Sequence, residues 1–146
     1  MNKALFVVSA VYAGLLTGAC SQRKHRDPIV GAWLVHDFKA PFPMHMYVFN
    51  ADGTMQQANP DAGDAHDSDG KGAWVADAGR VRGKWIEVMA DRDTHAFTGR
   101  GEYAFQVTVA GDHLRGQGEM HLFDANGRPN GEIPTMFEGD RVIVAK

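Results

Sequence analysis

The 146-residue sequence holds one cysteine, Cys20. With no second thiol there is no internal disulfide, so a packed core has to hold the domain together. The sequence also lacks the Cys/His spacing of a zinc site, a glycine loop for phosphate, and a Gly-x-Ser-x-Gly elbow for a nucleophilic serine. Neither sign of charge dominates: 15 Lys and Arg stand against 18 Asp and Glu, for a net charge of -3. Interspersed charge of that size argues against a basic nucleic-acid groove. No stretch keeps a helical period over three turns. The long apolar run, residues 4–16, is too short to span a bilayer as a helix. At this length there is room for one domain.

What is present begins with export. Met1-Asn2-Lys3 is a short basic head, residues 4–16 are an apolar core, and Thr17-Gly18-Ala19 are small residues before Cys20. That is the grammar of a cleaved signal peptide. The stretch Leu16-Thr17-Gly18-Ala19-Cys20 resembles a bacterial lipobox, with a departure at Thr17, where leucine is commonest. The resemblance implies cleavage after residue 19 and a diacylglycerol on Cys20. Two or three acyl chains would anchor the protein stably in a membrane. Ser21 is not the aspartate that typically retains such proteins at the inner membrane, which implies an outer-membrane anchor facing the periplasm. Residues 20–27 are then the lipidated cysteine and a polar, basic tether. Loss of Lys3 with the leader takes the charge from -3 to -4.

From Ile29 onward, apolar residues alternate with polar ones and turn signals recur about every ten residues. The pattern predicts strands over 30–38, 44–49, 54–58, 73–77, 81–91, 97–109, 113–123 and 130–145. Pro41 and Pro43 end the first, because proline cannot donate to a central ladder. Asp52-Gly53, Ala78-Gly79, Gly111-Asp112 and Asn126-Gly127 supply tight turns. Residues 59–72, rich in aspartate and glycine, read as a loop. An up-and-down meander without disulfides must hide its edges, and closure does so. The expected fold is all-β, an eight-stranded antiparallel up-and-down β-barrel over residues 28–146.

Gly31-Ala32-Trp33 resembles the Gly-x-Trp opening of lipocalins, fatty-acid-binding proteins and avidins, grouped as calycins. In lipocalins that tryptophan plugs the barrel floor and an arginine of the last strand packs across it. The resemblance assigns these structural parts to Trp33 and Arg141. Tyr47-Val48-Phe49-Asn50-Ala51-Asp52-Gly53, Gly72-Ala73-Trp74 and Phe123-Asp124-Ala125-Asn126-Gly127 are similar to stretches of small bacterial lipocalin-like proteins. No C-terminal helix of the lipocalin kind is evident, which points to a minimal or divergent member.

With Trp33 inward, Val35 and Asp37 follow by parity. Hydrophobic logic turns His45, Tyr47 and Phe49 inward, as it does Trp85, Glu87 and Met89, and Tyr103, Phe105 and Val107. Leu114, Gly116, Gly118, Met120 and Leu122 share a face, as do Ile133, Thr135 and Phe137. The resulting ligand-binding set is His45, Tyr47, Phe49, Trp85, Glu87, Met89, Tyr103, Phe105, Met120 and Phe137. Such a lumen suits a small apolar or aromatic molecule held by one or two hydrogen bonds.

Other candidates are weaker. Glu119 and His121 lie two apart on a strand and would point outward together. Asp61, Asp64, His66, Asp67 and Asp69 crowd one stretch, but Asp67-Ser68-Asp69-Gly70 lacks the remaining oxygens of a calcium loop, so a solvated acidic loop is expected. The expectation is a monomeric, lipid-anchored binding protein of the envelope, with no cofactor, metal or nucleic acid. An isomerase, cyclase or lyase using an inward His45/Glu87 pair as acid and base is the alternative, and a structural module with a solid barrel is another.

Overall fold

The computed structural model describes residues 27–40, 42–58 and 66–145. The leader, Cys20 and most of the tether lie outside the described residues, as do Asp61 and Asp64. Eight strands follow one another: β1 (Gly31–Asp37), β2 (Met44–Phe49), β3 (Thr54–Ala58), β4 (Gly70–Asp77), β5 (Arg80–Ala90), β6 (Phe97–Ala110), β7 (His113–Asp124) and β8 (Pro129–Arg141). Each pairs antiparallel with the next, and β8 returns to β1, so the barrel is closed. The expected all-β architecture is what the chain adopts.

Period-two alternation is the local cause. In β5, Val81, Trp85 and Glu87 are buried while Arg82, Lys84, Ile86 and Val88 face out. In β6, Tyr103, Phe105 and Val107 are buried against exposed Ala104, Gln106 and Thr108. Ala78 and Gly79 both have positive φ, 49° and 80°, which is the two-residue hairpin geometry that matches strand twist.

Two boundaries differ from the sequence reading by more than one residue. The fourth strand begins at Gly70 rather than at residue 73, with Gly70 opposite Gln57 and Gly72 opposite Met55. The glycines that suggested a loop are strand residues chosen for space. A Cβ on Gly72 would stand 1.9 Å from the Lys84 carbonyl oxygen, and one on Gly70 would stand 2.6 Å from the Trp85 ring. The last strand stops at Arg141 rather than at residue 145. Its partner β1 starts at Gly31, so after one further bond, from the Val142 amide to the Ala32 carbonyl (2.9 Å), the chain has nothing left to pair with.

The two ends of the barrel are built differently. At one end the segment before β1 turns beneath the strands. Trp33 is fully buried there, and its Nε1 donates to the Ile29 carbonyl at 2.8 Å. Ile29, Val30, Met55, Val81, Val107 and Leu114 fill the space around it. Arg141 lies over the Trp33 ring with its guanidinium carbon 4.1 Å from the centroid. Its nitrogens donate to Val30 O (3.0 Å), Asp112 Oδ1 (2.9 Å) and Pro28 O. Gly31 allows this closure, since a Cβ there would come within 2.8 Å of the guanidinium.

Above the floor stands an aromatic layer. Tyr47, Phe105 and Phe137 lie 5.8 to 6.4 Å apart between ring centroids, edge-on or tilted, which suits their quadrupoles. Gly116 and Gly118 of β7 leave room for it: Cβ atoms there would sit 2.3 Å from the rings of Phe137 and Tyr103.

Candidate functional site

Beyond the aromatic layer the barrel is no longer filled. A cavity of about 320 Å³ opens toward the β1–β2, β3–β4, β5–β6 and β7–β8 connections. Its walls come from all around the sheet. His45 and Tyr47 stand on β2, Gln57 on β3, Trp85, Glu87 and Met89 on β5, and Tyr103 on β6. Met120 and Leu122 of β7, with Ile133 and Thr135 of β8, complete the far wall. Asp37, Ala40, Phe42 and Asp67 rim it. This volume is at the lower end of the range for small-molecule sites.

Most residues that the sequence turned inward are brought together here. Phe49, Phe105 and Phe137 are not part of the wall; they belong to the packed layer and floor beneath it. Glu119 and His121 do pair, Oε2 to Nε2 at 3.4 Å, but on the outer surface, where Glu132 approaches the other ring nitrogen at 3.4 Å. A larger hollow, about 670 Å³, lies on the outer face of β5–β8 and is walled mostly by solvent-facing side chains such as Arg82, Gln106, Gln117 and Met136. The cup inside the barrel, with buried polar groups, is the candidate site.

Gln57 organises one side of the cup, and parity places it inward beside Met55, although a glutamine there is easily passed over. It is 1% exposed. Its Oε1 accepts the Gly70 amide at 2.9 Å, and its Nε2 lies 3.0 Å from His45 Nδ1. A backbone N–H can only donate, which fixes the amide orientation and makes Nε2 the donor to His45. His45 is therefore neutral, with its proton on Nε2. Burial lowers its pKa, against smaller opposing effects of the Asp37 charge and the Phe42 carbonyl. The Nδ1 lone pair that a general base would use is committed to Gln57. No hydrogen bond or ion pair joins His45 to Glu87 among the described residues.

Glu87 is 6% exposed and lines the cup, and its carboxyl makes no hydrogen bond among the described residues. Burial first, and then the Asp67 charge, push its pKa from 4.5 up to about 7. Asp67 was expected in a solvated loop. It instead bridges to Met89 and is half-buried at the rim, where burial raises its own pKa. Asp37 closes the end of β1, its Oδ1 accepting the Lys39 and Ala40 amides at 2.9 and 3.1 Å. Tyr103 stacks on Trp85 at 4.9 Å between centroids, and its hydroxyl is bonded to Thr135 Oγ1. Burial raises both the Tyr47 and Tyr103 phenols, so each stays protonated. Trp85 Nε1 is buried and interacts with the Tyr47 hydroxyl, without the geometry of a well-formed hydrogen bond.

Among the described residues no group of three or more His, Cys, Asp or Glu could hold a metal. The architecture defines a class: a closed eight-stranded antiparallel barrel with a plugged floor and an open cup, consistent with a lipocalin-like fold. Searches of family models, curated proteins and solved structures found no match to this chain.

Proposed function

We propose that this chain is a lipid-anchored protein of the bacterial envelope that binds one small apolar or aromatic molecule in its barrel. The observation that carries this reading is the cup itself. A cavity of about 320 Å³, walled by Tyr47, Trp85, Met89, Tyr103, Met120, Leu122 and Ile133, stands over a core that is packed solid. A barrel needing only stability gains nothing from leaving part of its interior unfilled, because voids forfeit dispersion contacts. Walls that are mostly apolar with a few placed polar groups are what small-molecule sites have in common. The lipocalin-like architecture supports the same reading.

The anchor at Cys20 rests on the lipobox resemblance. Its geometry suits the barrel: the chain reaches β1 at the closed end, beside Trp33 and Arg141. A membrane tether there would hold the floor and leave the mouth at the opposite end.

The test is a titration of the full chain, in phosphatidylcholine nanodiscs, with the neutral fluorophore N-phenyl-1-naphthylamine. Empty discs provide the blank. Saturable binding that quenches tryptophan emission is expected, and Trp85→Phe should remove the largest share of the quenching, since Trp33 lies beneath the aromatic layer and Trp74 packs on Phe49, outside the cup wall. Absence of saturable binding, or quenching that Trp85→Phe leaves intact, would overturn the assignment of the cup.

A further inference from the structure

We infer that the cup selects organic cations: a protonated or quaternary amine on an apolar or aromatic body, its charge held among Glu87, Asp67 and Asp37 and the rings of Tyr47, Trp85 and Tyr103. This rests on the binding reading above and names the class of ligand.

The first argument is the sign of the charge. Among the described residues the wall carries three carboxyl side chains, Asp37, Asp67 and Glu87, and no lysine or arginine. The one basic side chain, His45, is kept neutral by burial and by the hydrogen bond that its Nδ1 accepts from Gln57. A carboxylate or sulfonate ligand would enter without a counter-charge and meet buried acids, which a low-dielectric site penalises heavily.

The second argument is the condition of Glu87. The residue is 6% exposed and its carboxyl faces the cavity, where no hydrogen-bond donor meets it among the described residues. A buried acid left this way is either held neutral or matched by something the site receives. A cation supplies that match. The third argument is the neighbouring wall. Aromatic rings present negative π faces, and a cation close to such rings and shielded from water gains attraction from each. Tyr47, Trp85 and Tyr103 surround the same space. Carboxylates together with aromatics, and no cationic side chain among the described residues, are the complement of an ammonium group.

Binding is then linked to protons. The groups around Glu87 that carry or gain charge are Asp67 at the rim, Asp37 on β1, His45 and Tyr47 on β2, and Tyr103 on β6. The wall residues of β3, β7 and β8 add none. With Glu87 titrating at about 7 in the empty cup, a bound cation favours its ionised form and expels its proton to solvent. Affinity for a cation therefore rises with pH through neutrality, whereas affinity for a neutral analogue does not.

Three probes that share one ring system separate the possibilities: 1-naphthylmethylammonium, 1-naphthylmethanol and 1-naphthoate. Each is titrated at pH 8 against the full chain in phosphatidylcholine nanodiscs. The ammonium should bind about tenfold tighter than the alcohol, and the carboxylate weakest. In the double variant Glu87→Gln/Asp67→Asn the ammonium should fall to the alcohol's level. The ratio of the two affinities is the readout, and cooperative thermal unfolding reports that the variant is folded. Equal or tighter binding of the carboxylate overturns the charge inference but leaves the carrier reading standing. So does an ammonium preference that survives the double substitution. Failure of all three probes to bind overturns both.

Discussion

Arg141 and Trp33 close the barrel as a unit. The guanidinium lies 4.1 Å over the indole, and the same side chain donates to Val30, Asp112 and Pro28. One residue thus joins the end of β8, the β6–β7 turn and the segment before β1. Lysine keeps the charge but has a point-like head on a flexible stem, and cannot stack flat while serving three acceptors. Arg141→Lys is expected to cost about 2–3 kcal/mol, from one or two lost charged hydrogen bonds and a weaker cation–π contact. Urea unfolding measures it. An unchanged midpoint would show that the floor holds without this strap.

A second expectation joins packing to the cup. A Cβ at Gly118 would sit 2.3 Å from the Tyr103 ring and hydroxyl, with the aromatic layer on its other side. Gly118→Ala should therefore destabilise by about 1–3 kcal/mol, the usual cost of overpacking. It should also drive Tyr103 toward the cavity and weaken N-phenyl-1-naphthylamine binding. Thermal unfolding and the probe titration read the two effects separately. Lost stability with unaltered binding would place the strain away from the cup.

The acidity of Glu87 has a stability consequence with a definite sign. In the unfolded chain this carboxyl ionises near 4.5, whereas in the barrel it holds its proton to about 7. Between those values the native state binds the extra proton, so stability falls as pH rises and levels off above about 7. The displacement corresponds to about 3 kcal/mol at most. Glu87→Gln cannot ionise and lacks this slope. Its stability relative to the parent should be higher at pH 8 than at pH 4 by up to that amount, measured by urea unfolding at both. His45, whose pKa moves the other way, is common to both proteins and cancels. Parallel pH profiles would assign the buried ionisation to another group.

The proposed anchor is tested by Cys20→Ser. The parent, expressed in a bacterium that processes lipoproteins, should fractionate with membranes and carry extra mass from its acyl chains. The variant should lose that mass and the thiol-dependent anchoring. Identical mass and identical membrane association in both would remove the lipid anchor from the proposal.

Much of this protein is legible in its residues taken one after another. Period-two alternation over 81–90 and 97–109 marks strands because side chains on a pleated strand change face at every step. The same rule places Trp33, Tyr47, Trp85, Glu87, Tyr103 and Thr135 inside, and the tight turns keep successive strands adjacent. What alternation does not contain is the meeting of positions distant in sequence. Gly70 and Gly72 resemble loop residues until the Trp85 ring and the Lys84 backbone are seen to occupy the space where a Cβ would be. Asp67 resembles a solvated charge until its bridge to Met89 brings it to the rim. The hydrogen bonds of Gln57, and with them the tautomer of His45, depend on β2, β3 and β4 lying side by side. Composition and periodicity determined a closed sheet with an aromatic interior. Whether that interior is solid or holds a cup was decided only in three dimensions, by which rings fill the gaps at Gly116 and Gly118 and which wall positions are left without a neighbour.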